Sequence, residues 1–276
     1  MTAKTALVTG ASSGIGEATA LKLQSLGCTV YGAARRTDRL QKLADRGIRP
    51  LAMDVTDDAS MVAGIDRIVA DTGRIDVLVN NAGYGSYGAI EDVPMDEARR
   101  QFEVNVFGAM RLVQLALPHM RAQHSGRIVN ITSMGGKIYT PLGGWYHGTK
   151  FALEALSDCL RLEVKPFGID VVVIEPGGIA TEWGAIAADQ LEKSSAGGAY
   201  AKQAHAVASS LRSEANAKRN SPPQVIADAI GKAVTAPKPK TRYATGFGAR
   251  PLITLRRIVP DRAFDTVISR ATGLPT

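Results

Sequence analysis

Tyr146 and Lys150 stand four residues apart in the stretch YHGTK. On a helix, residues three or four apart share a face, so this spacing would set a phenol beside an ammonium group. A phenol with a pKa of about 10 transfers protons poorly at neutral pH. A neighbouring cation favours its phenolate and so suits it to general acid–base work. The spacing alone decides little, because many helices carry a tyrosine over a lysine without chemistry. Two further polar residues bear on it. Ser133 closes the run NITS at the end of a β-branched stretch, and Asn105 interrupts FEVNVFG, a helical pattern in which Asn is a mediocre helix former. A polar side chain in an apolar helical stretch costs stability unless something uses it.

The elements that must position these residues are legible from periodicity. Short β-branched runs occur at 5–9, 29–33, 48–55, 75–80, 127–132 and 169–176, mostly as continuous apolar runs. Continuous runs suit parallel strands covered on both faces. Amphipathic stretches at 15–26, 59–72, 96–122 and 146–165 lie between them. The alternation predicts right-handed βαβ units and an α/β fold, a single doubly wound Rossmann domain with a parallel sheet of about seven strands and helices on both faces. KTRYAT (240–245) is the expected last strand. Residues 184–220, rich in Ala, Ser, Lys, Glu and Gly, read as a loosely packed helical insertion or a mobile loop, and as a substrate lid. A helix is expected after SPP (221–223), capped by Ser221, and 250–276 reads as a basic helical tail. No internal repeat or domain boundary is visible.

TGASSGIG (9–16) joins the first strand to the first helix and spaces Gly10, Gly14 and Gly16 as GxxxGxG. A tight turn, a close backbone approach and amides at a helix N-terminus are what a pyrophosphate requires. No Lys follows the last glycine, so this is not a Walker loop. At the end of the second strand, GAARRT places Ala34 where an acid would hold a ribose 2′-hydroxyl, followed by Arg35 and Arg36. Unopposed arginines suit the 2′-phosphate of NADP(H), with NAD(H) as the alternative cofactor. Asp54, in MDV, stands where its carboxylate would accept from an adenine amine, or would serve a local turn.

Composition narrows the class. The 276 residues are 45% hydrophobic and carry a formal charge of +7. The 33 Lys and Arg are dispersed and not interleaved with aromatics, so no nucleic-acid partner is expected. The four histidines show no metal-ligand spacing, so no metal is expected. Cys28 and Cys159 lie in apolar stretches and are expected as buried thiols in a reducing compartment. No apolar run reaches membrane-span length and the first residues lead straight into a strand. These features predict a cytoplasmic protein without integral membrane association.

Taken in order, TGASSGIG, MDV, NNAG (80–83), Asn105, Ser133, YHGTK and PGGIATE make the chain resemble the short-chain dehydrogenase/reductases of the single-domain kind, strongly over about residues 4 to 182. The resemblance implies an NAD(P)-dependent oxidoreductase interconverting carbonyl and alcohol. In it Tyr146 is general acid and base, Lys150 supports its phenolate and binds the nicotinamide ribose, and Ser133 positions the substrate oxygen. Asn105 is the residue whose helix distortion holds a water in the proton relay. The implied cofactor site comprises Gly10, Ser12, Ser13, Gly14, Ile15, Gly16, Arg35, Arg36, Asp54, Val55, Asn81, Ala82, Gly83, Tyr146, Lys150, Pro176, Gly177, Ile179 and Thr181. Tyr139 lacks a lysine four residues on and has Pro141 close behind, so it is expected at the substrate entrance with Tyr84, Tyr87, Leu142, Trp145 and Trp183. Such walls suit a lipophilic carbonyl or alcohol. The tail resembles, less specifically, the branch of retinol and 17β-hydroxysteroid dehydrogenases. This favours a steroid, retinoid or long-chain substrate over the alternatives, a broad reductase of small carbonyls or a cofactor-binding regulator. The family also implies a homodimer or homotetramer.

Overall fold

A computed structural model describes residues 3–272. In chain order its elements are β1 (Thr5–Thr9), α1 (Gly14–Ser25), β2 (Thr29–Ala34), α2 (Thr37–Ala44), β3 (Arg49–Ala52), α3 (Asp58–Thr72), β4 (Val77–Asn80), α4 (Met95–Phe102), α5 (Gly108–Ala122), β5 (Gly126–Ile131) and α6 (Gly144–Val164). There follow β6 (Ile169–Pro176), α7 (Trp183–Ser195), α8 (Ala201–Arg212), α9 (Glu214–Arg219), α10 (Gln224–Thr235), β7 (Arg242–Thr245), α11 (Ala249–Ile258) and α12 (Asp261–Thr272). The seven strands form one parallel sheet in the order β3-β2-β1-β4-β5-β6-β7.

Alternate residues of β1, β2, β4, β5 and β6 enter separate cores. Ala6, Val8, Val79, Val129 and Val172 meet Leu23 of α1 and Ile226 and Ile230 of α10. Leu7, Leu78, Ile128 and Val171 meet Ile65 and Ile68 of α3, Leu112 of α5 and Leu160 of α6. Both sheet faces are therefore dry, which is why the strands read as unbroken apolar runs. The strand order reverses between β1 and β4, and the carboxyl ends of strands diverge there to leave a crevice.

Four local expectations are corrected. Residues 96–122 are not one α-helix: a π-helical turn, Glu103–Phe107, separates α4 from α5 and contains Asn105. Residues 184–220 take the helical of the two expected forms, as three helices joined by short turns, but they are closely and not loosely packed. The small residues Ala187 and Ala188 of α7 and Ala204 and Ala208 of α8 are fully buried and form, with Leu191 and Val207, a core that large side chains are not needed to fill. Ser221 does not cap α10, which starts at Gln224. It pairs instead with the loop after β6, Ser221 N donating to Gly178 O and Ala180 N to Ser221 O. Cys159 is exposed, because the helical period turns it outward from an otherwise apolar stretch, and neither cysteine is in a disulfide. The tail folds as α11 and α12, whose Phe264 and Ile268 pack on Ile138; residues 273–276 of the expected tail lie outside the described residues.

Candidate active site

A cleft of about 1350 Å³ opens over the carboxyl edge of the sheet, running from the β2 end to α8 and α12. It exceeds the roughly 300–1,000 Å³ of a typical small-ligand pocket, which leaves room for a dinucleotide and a substrate together. At one end, Ser12, Ser13, Gly14 and Ile15 bring the α1 N-terminus to its wall, where anions are favoured. Gly10 has φ +64°, in the left-handed region open to glycine, and a Cβ on Gly16 would lie 2.2 Å from Gly10 O. Gly16 itself is buried behind the turn and does not line the cleft. The glycine spacing thus lets the helix start press against the turn, leaving the cradle that a pyrophosphate requires.

At the β2 end, Arg36 Nη2 donates to Ser12 Oγ (3.0 Å) and Ser13 Oγ (3.2 Å). Glu182, which immediately precedes α7, reaches back across the cleft: its carboxylate is 3.8 Å from Arg36 and accepts from Arg39 Nη1 at 3.1 Å. Arg35 points instead towards Asp54, 4.0 Å away. The Asp54 Oδ1 accepts from Thr56 N and Thr56 Oγ1. Partial burial works against its charge, but the Thr56 bonds and the Arg35 guanidinium hold its carboxyl below the usual carboxylate range.

Ser133, Tyr146 and Lys150 converge at the middle of the cleft. The Ser133 Oγ accepts from Gly135 N at 2.9 Å, and its side chain is close enough to the Tyr146 hydroxyl to favour the phenolate. Burial, reinforced by Tyr87, pushes the Tyr146 phenol well above its ordinary pKa while Ser133 opposes this, so the resting phenol is protonated. Lys150 Nζ donates to Ile131 O at 3.0 Å and lies 5.9 Å from the Tyr146 ring centroid. Burial lowers the Lys150 pKa to about 8, against the opposing charge of Glu154.

The asparagines hold the frame. Asn105 does not line the cleft: its Nδ2 donates to Tyr84 O (2.9 Å) and Thr149 Oγ1 (3.1 Å), and its Oδ1 accepts from Tyr84 N (3.0 Å). Its carboxamide is therefore occupied in tying the loop after β4 to α6. The helix distortion expected at Asn105 is the π turn itself, and such turns recur at functional sites. Asn81 Nδ2 donates to Thr9 O, so its amide locks β4 to β1 although the residue borders the cleft with Ala82 and Gly83. Val55, Pro176, Gly177, Ile179 and Thr181 also line it.

Of the six expected substrate residues, Tyr84, Tyr87 and Trp183 line the cleft. Tyr84 donates to Glu97 Oε1 at 3.0 Å, while Tyr87 is fully packed, and burial pushes its phenol up to about 12. Tyr139, Leu142 and Trp145 do not line it. Ile138 and Thr140 take the cleft side of their loop, which turns Tyr139 outward to donate to Asp265 and meet Phe264 edge to face. Leu142 (φ 62°) is buried in the cluster behind Tyr87 and Tyr146. Trp145, one residue before Tyr146, faces another side of α6 by the helical period.

His147 escaped notice although it sits inside YHGTK. It is 6% exposed; Thr140 N donates to its Nε2 (3.0 Å), which leaves its Nδ1–H to donate to Gly135 O (2.8 Å). The ring thus fastens the loop after Ser133 to the helix of Tyr146, and burial holds it neutral by lowering its pKa. Leu211 and Thr272, which also line the cleft, carried no signal in sequence because they reach it from distant segments; Glu182, the last residue of PGGIATE, lines it too, and only its pairing with Arg36 and Arg39 was not legible.

Comparison with known proteins agrees with this geometry. Residues 4–191 match the family model described as short chain dehydrogenase. Over 262 residues the chain is 35% identical to the probable short-chain type dehydrogenase/reductase VdlC of Helicobacter pylori, covering 95% of each chain. It is 41% identical over 176 residues to a 3-ketodihydrosphingosine reductase of Bacteroides thetaiotaomicron, covering 63% of this chain and 64% of that one. A crystal structure of a short-chain dehydrogenase from Streptomyces avermitilis superposes with TM-score 0.80 at 35% identity, covering 99% of this chain and 96% of that one. A metagenomic short-chain oxidoreductase in complex with NADP does so with TM-score 0.69 at 27% identity, covering 87% and 95%. The chain belongs to the short-chain dehydrogenase/reductase family. It is an NAD(P)-dependent oxidoreductase acting on CH–OH groups and the corresponding carbonyls.

Proposed function

We propose that the protein is an NADP-preferring reductase and dehydrogenase of a lipophilic ketone, aldehyde or alcohol, with Tyr146 as general acid and base. The observation that carries this reading is the convergence of Ser133, Tyr146 and Lys150 beside an aromatic wall. The Tyr146, Tyr87 and Trp183 rings stand 5.1–5.9 Å apart, and Ile186, Val207 and Leu211 extend the apolar surface. The bound dinucleotide supplies the hydride in reduction. Ser133 would hold the substrate oxygen, Tyr146 would donate its proton, and Lys150 would stabilise the phenolate left behind. Gly10, Ser12, Ser13 and Gly14 would hold the pyrophosphate, with Pro176, Gly177, Ile179 and Thr181 beside the nicotinamide. Arg36 and Arg35, with no acid at Ala34, would favour the 2′-phosphate. The similarity to a reductase of 3-ketodihydrosphingosine, a long-chain ketone, supports a lipophilic substrate.

The test is NADPH oxidation with a panel of small ketones, aldehydes, steroids, retinoids and long-chain ketones, for the native chain and Tyr146→Phe. Turnover of the larger substrates that falls by roughly 10²–10⁴-fold in the variant is expected; undiminished turnover would remove Tyr146 from the chemistry, and turnover confined to small carbonyls would favour the broad-reductase reading. Pairing of copies through α5 and α6 belongs to the same reading and is supported by the exposed Phe107, Phe151, Leu156 and Leu162 beside or on those helices. Two unpaired cysteines are compatible with the cytoplasm, and no helix among the described residues is long and apolar enough to cross a membrane.

A further inference from the structure

Behind the cleft, α6 carries a third chemically active residue in line with Tyr146 and Lys150. Glu154 stands four residues beyond Lys150, hence on the same face of the helix, and is 3% exposed. Its Oε1 accepts from Thr132 Oγ1 at 2.6 Å, next to Ser133. Its Oε2 meets Lys137 Nζ at 2.9 Å and Arg242 Nη2 at 3.0 Å. Arg242, from β7, also pairs with Asp158 (2.6 Å) and approaches Glu175 of β6 (3.4 Å). Arg161 pairs with Asp158 on the outer side, and the charge of Arg257 on α11 reaches Glu175. A full carboxylate buried in this way is costly, and the fold retains it one turn from the lysine that the proposed chemistry requires to be charged.

We propose that Glu154 is a positioning residue that keeps Lys150 charged, acting through the field of its carboxylate and not through contact with substrate. The proposal rests on the reading of Tyr146 and Lys150 as the proton relay. Lys150 gives its recorded hydrogen bond to Ile131 O, a neutral acceptor, in a site whose desolvation favours the uncharged amine. Buried charges interact more strongly than exposed ones because water screens them less. Glu154 is the anion that counteracts this desolvation. Lys137 and Arg242 work in the opposite sense: both moderate the field of Glu154, and both are cations facing the same pocket of the interior. Glu175 and Asp158 engage Arg242 and so limit that moderation.

The opposed signs make the idea testable in the cofactor-free protein. Competitive acetylation with acetic anhydride, followed by mass spectrometry across pH, reads the titration midpoint of Lys150. Glu154→Gln should lower that midpoint by about one pH unit, the effect of one nearby charge. Glu154→Asp should restore most of it, and Lys137→Met should raise it. Packing damage has no reason to move the midpoint in opposite directions in two variants. Unchanged midpoints in Glu154→Gln and Lys137→Met would overturn the proposal, and if Glu154→Gln does not fold, the absence of an upward shift in Lys137→Met would overturn it alone. The high-pH limb of carbonyl reduction should follow the midpoints. Midpoints that move while the limb stays fixed would uphold the field of Glu154 and refute Lys150 as part of the relay.

Discussion

The indole of Trp183, the first residue of α7, lies 5.1 Å from the ring of Tyr146 between centroids. The helix that follows β6 is therefore seated directly on Tyr146, the proposed proton donor. Gly85 makes the seat possible, since a Cβ there would lie 2.5 Å from the Trp183 ring. The first turn of α7 and the Tyr146 ring thus share one contact surface.

Replacing Trp183 by Ala should raise KM for large apolar substrates by about tenfold, the scale of one lost hydrophobic contact in a pocket. Small ketones should be little affected. Gly85→Ala should act in the same direction by displacing the ring. If the segment is a lid, limited proteolysis within 184–220 should slow when cofactor and product are present; identical cleavage with and without them would refute closure.

Carbonyl reduction should decline as pH rises through about 8, where Lys150 loses its charge. The sign follows from the cause: burial disfavours the ammonium form, and its loss removes support for the phenolate that forms as Tyr146 gives up its proton. Tyr146 itself is pushed upward by burial and stays protonated through this range. A pH–rate profile of kcat/KM for reduction checks the limb, which should be absent in Lys150→Arg below pH 10.

Cofactor choice should respond to both sides of the β2 end. Arg35→Asp or Arg36→Asp should shift preference towards NADH. Glu182→Gln should tighten NADPH binding severalfold with little change for NADH, because Glu182 is held by Arg36 and Arg39, the former being a proposed ligand of the 2′-phosphate. The effect is modest because these pairs are solvent-exposed and worth at most about 1 kcal/mol. Binding of each cofactor by fluorescence titration decides it.

His147→Phe should lower kcat by up to about 10²-fold, as expected when a reacting group is misplaced by an ångström, while leaving NADPH affinity near its native value. The Thr140 amide and Gly135 carbonyl would both lose their partner, each at a cost of about 1–3 kcal/mol if left buried, so Tm should fall as well. A variant with native kcat and native Tm would show that the ring fastens nothing of consequence.

Tyr146, Lys150 and the glycines were legible because each depends on local spacing: four residues along one helix, or a turn between adjacent elements. The sheet was legible for the same reason, since burial on both faces writes itself into every strand as an apolar run. Asn105 was half legible. Its poor fit to a helix pointed to a use for its side chain, and the family resemblance implied a distortion there, but nothing local showed that its amide would be bound to Tyr84 and Thr149.

The linear chain thus determined the α/β architecture, the dinucleotide cradle and the Tyr146–Lys150 pair, all products of short-range periodicity and backbone geometry. Tertiary structure alone decided which aromatics face the cleft. Tyr139 and Tyr87 look equivalent in sequence, yet one is turned outward onto α12 and the other is packed against Tyr146. It alone also brought Arg242 from β7 to Glu154 on α6, 88 positions apart in the chain. Contacts between distant segments arise from the packing of finished elements against one another, and no periodicity within either segment encodes them.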